Sequence, residues 1–486
     1  MLNSLDFLTP GQPWPPESEL ERLKLYRDNK YLFEGKHEKC LKHWVKLLRN
    51  DKKATLEIIL NWYKRLTLLW ADLLLGEPPK FMAGEVGSQE QEQITNYTGS
   101  RFLNTNYEVV IDISRFADGI LKIRYDKGVI LEGQSPAVWF PVVAVNNVKE
   151  VLYHVLAWSY KINESTFMGG KKEQWYLQVE IHEKGRITSR KYKLGTPDNC
   201  KIGSLLEEET IDTGIDDFLV IQVSNLLTTD RETGIDDYSD LDSIIQELEI
   251  RVAQMARIFD KHADPNMYGP DTALDVNPTT GETSFQGGGN YFPVGTGENP
   301  PGYVTWDGQL DSCFRELEFL MDQLYALSET SPAAFGQLKS GLAESGSALR
   351  RLMLAPLAKV NRLRMRLDPA LKKVLSLMSQ LDALNGNGVF IPENTISILW
   401  QDGLPADEAE QANIMNIRTG GKPTISQRTA IRKQDNLSEA DLEKELEAIQ
   451  EEDLAANPVS SSVFSFNGNK NNQEAIENVK DNSQAG

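Results

Sequence analysis

Residues 238–261 read YSDLDSIIQELEIRVAQMARIFDK, and residues 309–327 read QLDSCFRELEFLMDQLYAL. Both stretches have the pattern of amphipathic helices. In the first, Leu241, Ile244, Ile245, Leu248, Val252, Met255, Ile258 and Phe259 recur at helical spacing; in the second, Leu310, Phe314, Leu317, Met321 and Leu324 do so. Ser239 is placed to cap the first helix, with Asp242 in its first turn. At 1.5 Å per residue that rod is roughly 35 Å long. Pro265, Gly269 and Pro270 stop it, and residues 264–307 are crowded with Gly and Pro, including Gly287, Gly288, Gly289 and the run Asn299, Pro300, Pro301, Gly302. Two rods joined only through a small non-helical unit predict a hairpin with a separate tip. An enzyme seldom needs such a projection, whereas a protein that packs copies of itself into a wall or tube does. With one apolar stripe each, the rods can pack on each other or on neighbouring copies.

Upstream, the spacing predicts helices over 17–29, 41–50 and 56–75, the last with Ile59, Tyr63, Leu66, Trp70 and Leu73 on one side and Gly76 to Pro79 as its terminator. Strand patterns follow over 107–111, 119–125, 138–145, 152–160, 174–183, 186–194 and 218–223, with Lys184 and Gly185 as a hairpin turn. Downstream, 328–346 reads as a mobile loop containing Pro332, Phe335 and Gly336. A helical tract over 347–384 is expected to kink at Pro356, with Asp368 capping a fresh helical piece that starts at Pro369. A strand over 395–401 and short helices over 407–418, 426–433 and 438–452 complete the pattern. From Ala455 to Gly486 the chain is dominated by Asn, Ser, Gln and Lys and reads as disordered.

The 486 residues suffice for two to four domains. A formal net charge of -20 argues against tight nucleic-acid binding by the chain as a whole, because such binding is driven by cations displacing counterions from phosphates. It suits a channel through which a polyanion must slide without sticking. Cys40, Cys200 and Cys313 are far apart and odd in number, so they read as free thiols in a reducing compartment. The N-terminus has no signal-peptide pattern, and the apolar run 66–75 is short and contains Asp72, too little to span a bilayer. The expectation is a protein kept in a cytoplasm or in something assembled there.

No catalytic, cofactor or metal residue is expected. The five histidines make no metal-ligand pair, and His262 suits the cationic end of a helix. Residues 275–286 superficially resemble a calcium loop, but Gly281 falls one position late and Gln286 replaces the bidentate Glu. The glycine triplet lacks the Lys and Ser/Thr of a phosphate loop, and no nucleophile elbow occurs. Paired acids such as Asp236 and Asp237 carry no information in so acidic a chain. The one electrostatic anomaly is the tract Arg350, Arg351, Lys359, Arg362, Arg364, Arg366, Lys372 and Lys373. It reads as a contact with a phosphate backbone, a contact with an acidic neighbouring subunit, or a solvated helix face. Nothing supports base-specific readout.

Taken in order, several segments resemble the portal proteins of tailed bacteriophages, in the class of the SPP-type siphovirus portals. They are Trp70-Ala71-Asp72-Leu73-Leu74-Leu75-Gly76-Glu77-Pro78-Pro79; Tyr176 to His182 followed by Gly185; Asp237-Tyr238-Ser239-Asp240-Leu241; Lys261-His262-Ala263-Asp264-Pro265; and Ser345-Gly346-Ser347-Ala348-Leu349-Arg350. Pro405 with Asp407 and Glu408, Ile425-Ser426 with Thr429-Ala430, and Leu442 with Glu445-Leu446 complete the series. The resemblance covers roughly residues 15–455, and it is the joint order that carries it.

The resemblance implies an α+β portal fold. Its parts would be a wing over 1–236, stem helices over 237–263 and 308–328, a small α/β clip over 264–307, a tunnel loop over 329–346, a long kinked wing helix and strand over 347–402, a helical crown over 403–455 and a disordered tail over 456–486. It implies a dodecameric ring at one capsid vertex, through which double-stranded DNA passes without sequence preference. Partners would be the terminase large subunit, which hydrolyses ATP, then a neck adaptor, with the major capsid and scaffolding proteins around it and no membrane. The protein would sit in the virion, and in the host cytoplasm during assembly. Ser331, Pro332, Phe335, Gln337 and Lys339 would face the channel, Lys339 being the sole charge between Glu329 and Glu344. Arg350, Arg351, Lys359, Arg362, Arg364 and Arg366 would meet DNA or a neighbouring subunit. Two rivals are another ring-forming neck or adaptor protein, usually shorter and without two stems around a clip, and a metal-dependent nuclease or hydrolase with converging carboxylates.

Overall fold

The structure is a computed structural model that describes residues 1–41, 58–85, 87–165, 171–263, 310–337, 346–401, 403, 408–420, 423–435 and 439–456, with short stretches between 267 and 303. Two compact units divide the chain, Met1–Leu404 and Pro405–Gly486.

The first unit opens with helices α1 (Leu20–Phe33) and α2 (Trp62–Leu75). Asn61 sets the start of α2 by accepting from the Lys64 amide at 3.0 Å, later than the sequence pattern suggests. Residues 42–57, including most of the expected helix over 41–50, lie outside the described set. Strand β1 (Lys80–Ala83) leads to α3 (Gln89–Tyr97) and α4 (Ser100–Phe116). Here the reading of 107–111 as a strand is wrong, since those residues lie inside α4. Its β-branched run suggested a strand, but Phe102, Val109, Val110, Ile113 and Phe116 are buried on one helical face, and packing of that face overrides local propensity.

Two sheets follow. Strands β2 (Asp118–Tyr125) and β3 (Val129–Gln134) pair antiparallel, and β9 (Val220–Ser224) joins the other side of β2. Helix α4 packs closely on this sheet: a Cβ at Gly119 would lie 2.5 Å from a Val109 methyl, so only glycine fits. The second sheet is an antiparallel meander of β4 (Trp139–Ala144), β5 (Asn147–Ser165), β6 (Lys171–Glu183), β7 (Arg186–Leu194) and β8 (Leu205–Asp212). Gly185 takes a φ of 82° in the β6–β7 turn, as the hairpin requires. Every residue of the edge strand β8 is exposed, and cross-strand pairs of Lys191 with Glu207 (3.1 Å), Arg190 with Glu208 (2.8 Å) and Arg186 with Asp212 (3.2 Å) hold it to β7.

The rods are α5 (Asp242–Ala263) and α6 (Leu310–Leu327). Ser239 does not cap α5. It donates instead: the Asp236 carboxylate accepts from the Tyr238 amide (2.7 Å), the Ser239 amide (2.8 Å) and the Ser239 hydroxyl (3.0 Å), building a turn before the helix begins. Between the rods, β10 (Met267–Pro270) pairs parallel with β11 (Tyr291–Val294) and antiparallel with β12 (Gly302–Tyr303).

Helix α7 (Gly346–Leu352) stops at Met353, and α8 (Leu354–Leu384) runs on without interruption. The break therefore precedes Pro356, which occupies the first turn of α8, where a missing N–H costs no helical bond. Nor does Pro369 start a fresh piece. It lies inside α8, and Asp368 serves as an anchor, accepting from the Trp400 indole at 2.9 Å and pairing with Lys372 at 2.6 Å. Burial of Leu367, Ala370 and Leu371 offsets the lost backbone bond. Strand β13 (Ile396–Leu399) pairs with β1. The main core joins α2, α4, α8 and the β9–β2–β3 sheet around Trp70, Ile113, Leu121, Leu367 and Val374. The second unit contains α9 (Glu408–Thr419), α10 (Gln427–Asp435) and α11 (Glu439–Ala456). Residues 457–486 of the expected disordered tail lie outside the described set.

Candidate functional site at the base of the paired helices

The stripes of α5 and α6 meet at one end. Leu241, Ile245 and Leu248 join Leu324 in a core completed by Tyr63 and Leu66 of α2, with Leu317, Leu320 and Met321 half-buried beside it. Arg251 of α5 lies 2.9 Å from Glu247 of its own helix and 2.9 Å from Glu316 of α6. Phe259, Phe314 and Phe319 remain 50%, 47% and 61% exposed. Three large aromatic side chains are thus only partly covered by the described residues of their own chain.

After α6, Pro332–Phe335 form a single 3₁₀ turn that ends at Gly336, whose φ of 75° suits glycine. Ser331, Pro332 and Gln337 share a cleft of about 800 Å³ with Phe314, Met321 and Tyr325. Phe335 is held by Trp62, edge-on at 5.4 Å, and by Tyr325 at 6.0 Å, with the Arg65 guanidinium 5.8 Å from its ring centre. The Tyr325 hydroxyl donates to Gln337 Oε1 at 3.2 Å. Lys339 lies outside the described residues.

The basic tract is spread over several partners. Lys359 is buried, donates to Asp237 at 2.7 Å and lies 4.3 Å from the Trp70 ring centre. Asp237 also accepts from the Ser114 hydroxyl (2.6 Å) and the Asn225 amide (2.8 Å). Arg362 donates to Glu329 at 2.7 Å. Arg364 donates to the Gln401 carbonyl and lies over Trp400. Arg366 donates to the Ser224 and Asn225 carbonyls at 3.2 and 2.6 Å. Arg350 and Arg351 are exposed on α7. Sequence reasoning set Asp236 and Asp237 aside, yet one builds the turn into α5 and the other is the hub for Lys359. Their position at the mouth of a strong helix pattern was the usable signal. Nearby, burial pushes the Asp242 carboxyl up to about 6, although the Tyr63 hydroxyl donates to it at 2.7 Å and favours its ionised form.

Among the described residues no group of three His, Cys, Asp or Glu side chains is placed to hold a metal ion. No described helix is long and apolar enough to cross a membrane.

Residues 16–459 match the family described as phage portal protein, SPP1 Gp6-like. No curated protein matches the sequence significantly. Among solved structures, the chain resembles a subunit from the neck of a native gene transfer agent particle at 13% identity and a TM-score of 0.41, covering 76% of this chain and 89% of that one. It also resembles one from the neck of an empty particle of that kind at 14% identity and 0.42, covering 77% and 90%. A chain of the native gene transfer agent virion matches at 13% and 0.40, covering 88% and 96%. All three are distant likenesses.

Proposed function

The chain belongs to the phage portal protein family, a structural component of virions, and on that premise we propose that twelve copies form a ring at one capsid vertex. Paired rods from adjacent copies pack around a central channel, burying the phenylalanines that each chain leaves exposed. Double-stranded DNA passes through during packaging and ejection, with no base readout. The net charge of -20 supports weak adhesion of the passing polyanion.

The parts divide along the chain. Residues 1–236 and 347–402 form the wing, 237–263 and 308–328 the stem, 264–307 the clip, 329–346 the tunnel loop and 403–455 the crown. The clip docks the terminase large subunit, which supplies ATP hydrolysis, and later a neck adaptor. Major capsid and scaffolding proteins surround the ring during assembly in the host cytoplasm. In this reading Ser331, Pro332 and Gln337 of the tunnel loop face the DNA path. Phe335 has a second role, as the anchor of that loop to α2 and α6.

The observation that carries this reading is the exposure of Phe259, Phe314 and Phe319 on two rods that already share one core. Negative-stain electron microscopy of the purified protein tests it. The expected images are rings with a central hole, and compact single chains under every assembly condition would overturn it.

A further inference from the structure

A second cleft, of about 450 Å³, lies between α1 and the segment 231–236. Met1, Glu21 and Arg231 are among its lining residues, and several of its other charged groups are engaged within the chain. Glu19 accepts from Arg22 Nε at 2.6 Å, and the remaining Arg22 nitrogens donate to the Pro136 and Trp139 carbonyls at 3.2 and 2.8 Å. Asp236 is taken up by the amides of Tyr238 and Ser239. Lys149, close by, is spent on the carbonyls of Thr228 and Arg231.

Glu232 is the exception. It is only 9% exposed, lines the cleft, and its carboxylate has no hydrogen bond or ion pair to any described residue. Its backbone carbonyl is satisfied by Gln222 Nε2 at 2.9 Å. The side chain is not a sealed core group either, since its oxygens are absent from the fully buried unpartnered atoms, which leaves the cleft as their outlet. A largely buried carboxylate that makes no ion pair at contact distance, with Lys149 acting on it only from farther off and Asp118 opposing, is left short of balancing positive charge. Burial accordingly raises this group to about 7.

The cleft's chemistry selects the kind of ion. A hard divalent cation needs six or more oxygen ligands, and one unengaged carboxylate does not provide them. Leu25, Pro141 and Val143 add apolar wall beside Glu232. We propose that this cleft binds a primary alkylammonium group, with Glu232 as its counter-charge and Leu25, Pro141 and Val143 against its methylenes. The group arrives either on a free amine or as a lysine side chain of another copy of this chain. The site itself does not depend on ring formation.

Cadaverine is the probe, titrated calorimetrically at pH 8.5 into the full chain and its Glu232→Gln variant, with circular dichroism confirming that both are folded. The expected result is binding weakened at least tenfold in Glu232→Gln. Ring assembly is followed in parallel by mass photometry. Inhibition of assembly by cadaverine, or loss of assembly in Glu232→Gln without cadaverine binding, assigns the ammonium to another copy's lysine. Cadaverine binding that leaves assembly unchanged assigns it to a free amine. Equal cadaverine affinity in the two proteins overturns the proposal, as does absence of binding with equal assembly.

Discussion

Lys359 Nζ sits 2.7 Å from Asp237 Oδ1, and both side chains are about nine-tenths buried. The pair connects α8 to the turn that launches α5. Trp70 covers the ammonium, while Ser114 and Asn225 fill the remaining acceptor sites of the carboxylate. A cation in a tract whose sequence reads as meeting DNA, a neighbouring subunit or solvent is therefore engaged inside its own chain.

Lys359→Met should destabilise the chain by roughly 3–5 kcal/mol, because it strands a buried carboxylate. The double variant Lys359→Met, Asp237→Asn should lose less than the sum of the single changes. Urea unfolding midpoints of the four proteins measure this, and strict additivity would show that the two groups do not interact.

Acid should weaken the five-stranded sheet at His154. The Trp139 indole donates to His154 Nδ1 at 3.0 Å, which requires that nitrogen to be unprotonated. Burial holds the imidazole down to about 3, far below its unfolded value of roughly 6.5. Between those values the unfolded chain binds more protons than the native one. The stability contribution is thus complete above pH 6.5 and is lost as pH falls toward 3, by at most about 1.4 kcal/mol per pH unit. His154→Gln keeps an acceptor for Trp139 and should flatten this limb by one proton in a pH series of unfolding free energies.

Replacing both Phe314 and Phe319 with Ser should leave the single chain folded, since neither is buried in its own core. Ring formation should fall at least tenfold in concentration dependence. Sedimentation velocity reads both properties, and unchanged assembly would mean that these rings face solvent in the complete particle.

Deletion of residues 333–339 should spare ring assembly and impair DNA packaging, measured as DNA protected from nuclease in an assembly reaction. Phe335→Ala addresses the anchor alone. It should shift the fluorine resonance of 5-fluorotryptophan at Trp62, with a stability loss of about 0.5–1.5 kcal/mol. An unmoved resonance would remove the anchor from consideration.

The rods, the α2 stripe and most of the meander were legible because their apolar period is strong and their ends carry Gly or Pro. The misreadings have local causes. The run at 107–111 looked extended because β-branched residues cluster there, and only packing against β2 reveals the helical face. Strand β3 has weak alternation, and β8 holds three consecutive glutamates with no buried side at all, so its pairing rests on cations of β7 distant in sequence. Pro369 reads as a start because Asp precedes it, but the Asp368 carboxylate is occupied by Trp400 and Lys372. At the candidate site, Ser331, Pro332 and Gln337 do converge on one cleft. The partners of the basic tract were invisible, because contacts such as Arg362 with Glu329 and Arg366 with the β9 carbonyls join segments with no shared pattern.

The bare edge of β8 has a consequence for the time before copies assemble. Its outward backbone groups form a ready template for another strand, and an apolar edge of that length would invite chains to stack side by side. Here Glu207, Glu208, Glu209 and Asp212 load the margin with negative charge that cations on the inner neighbour only partly neutralise. A second identical margin is repelled on approach, which keeps newly made chains from polymerising along the wrong seam.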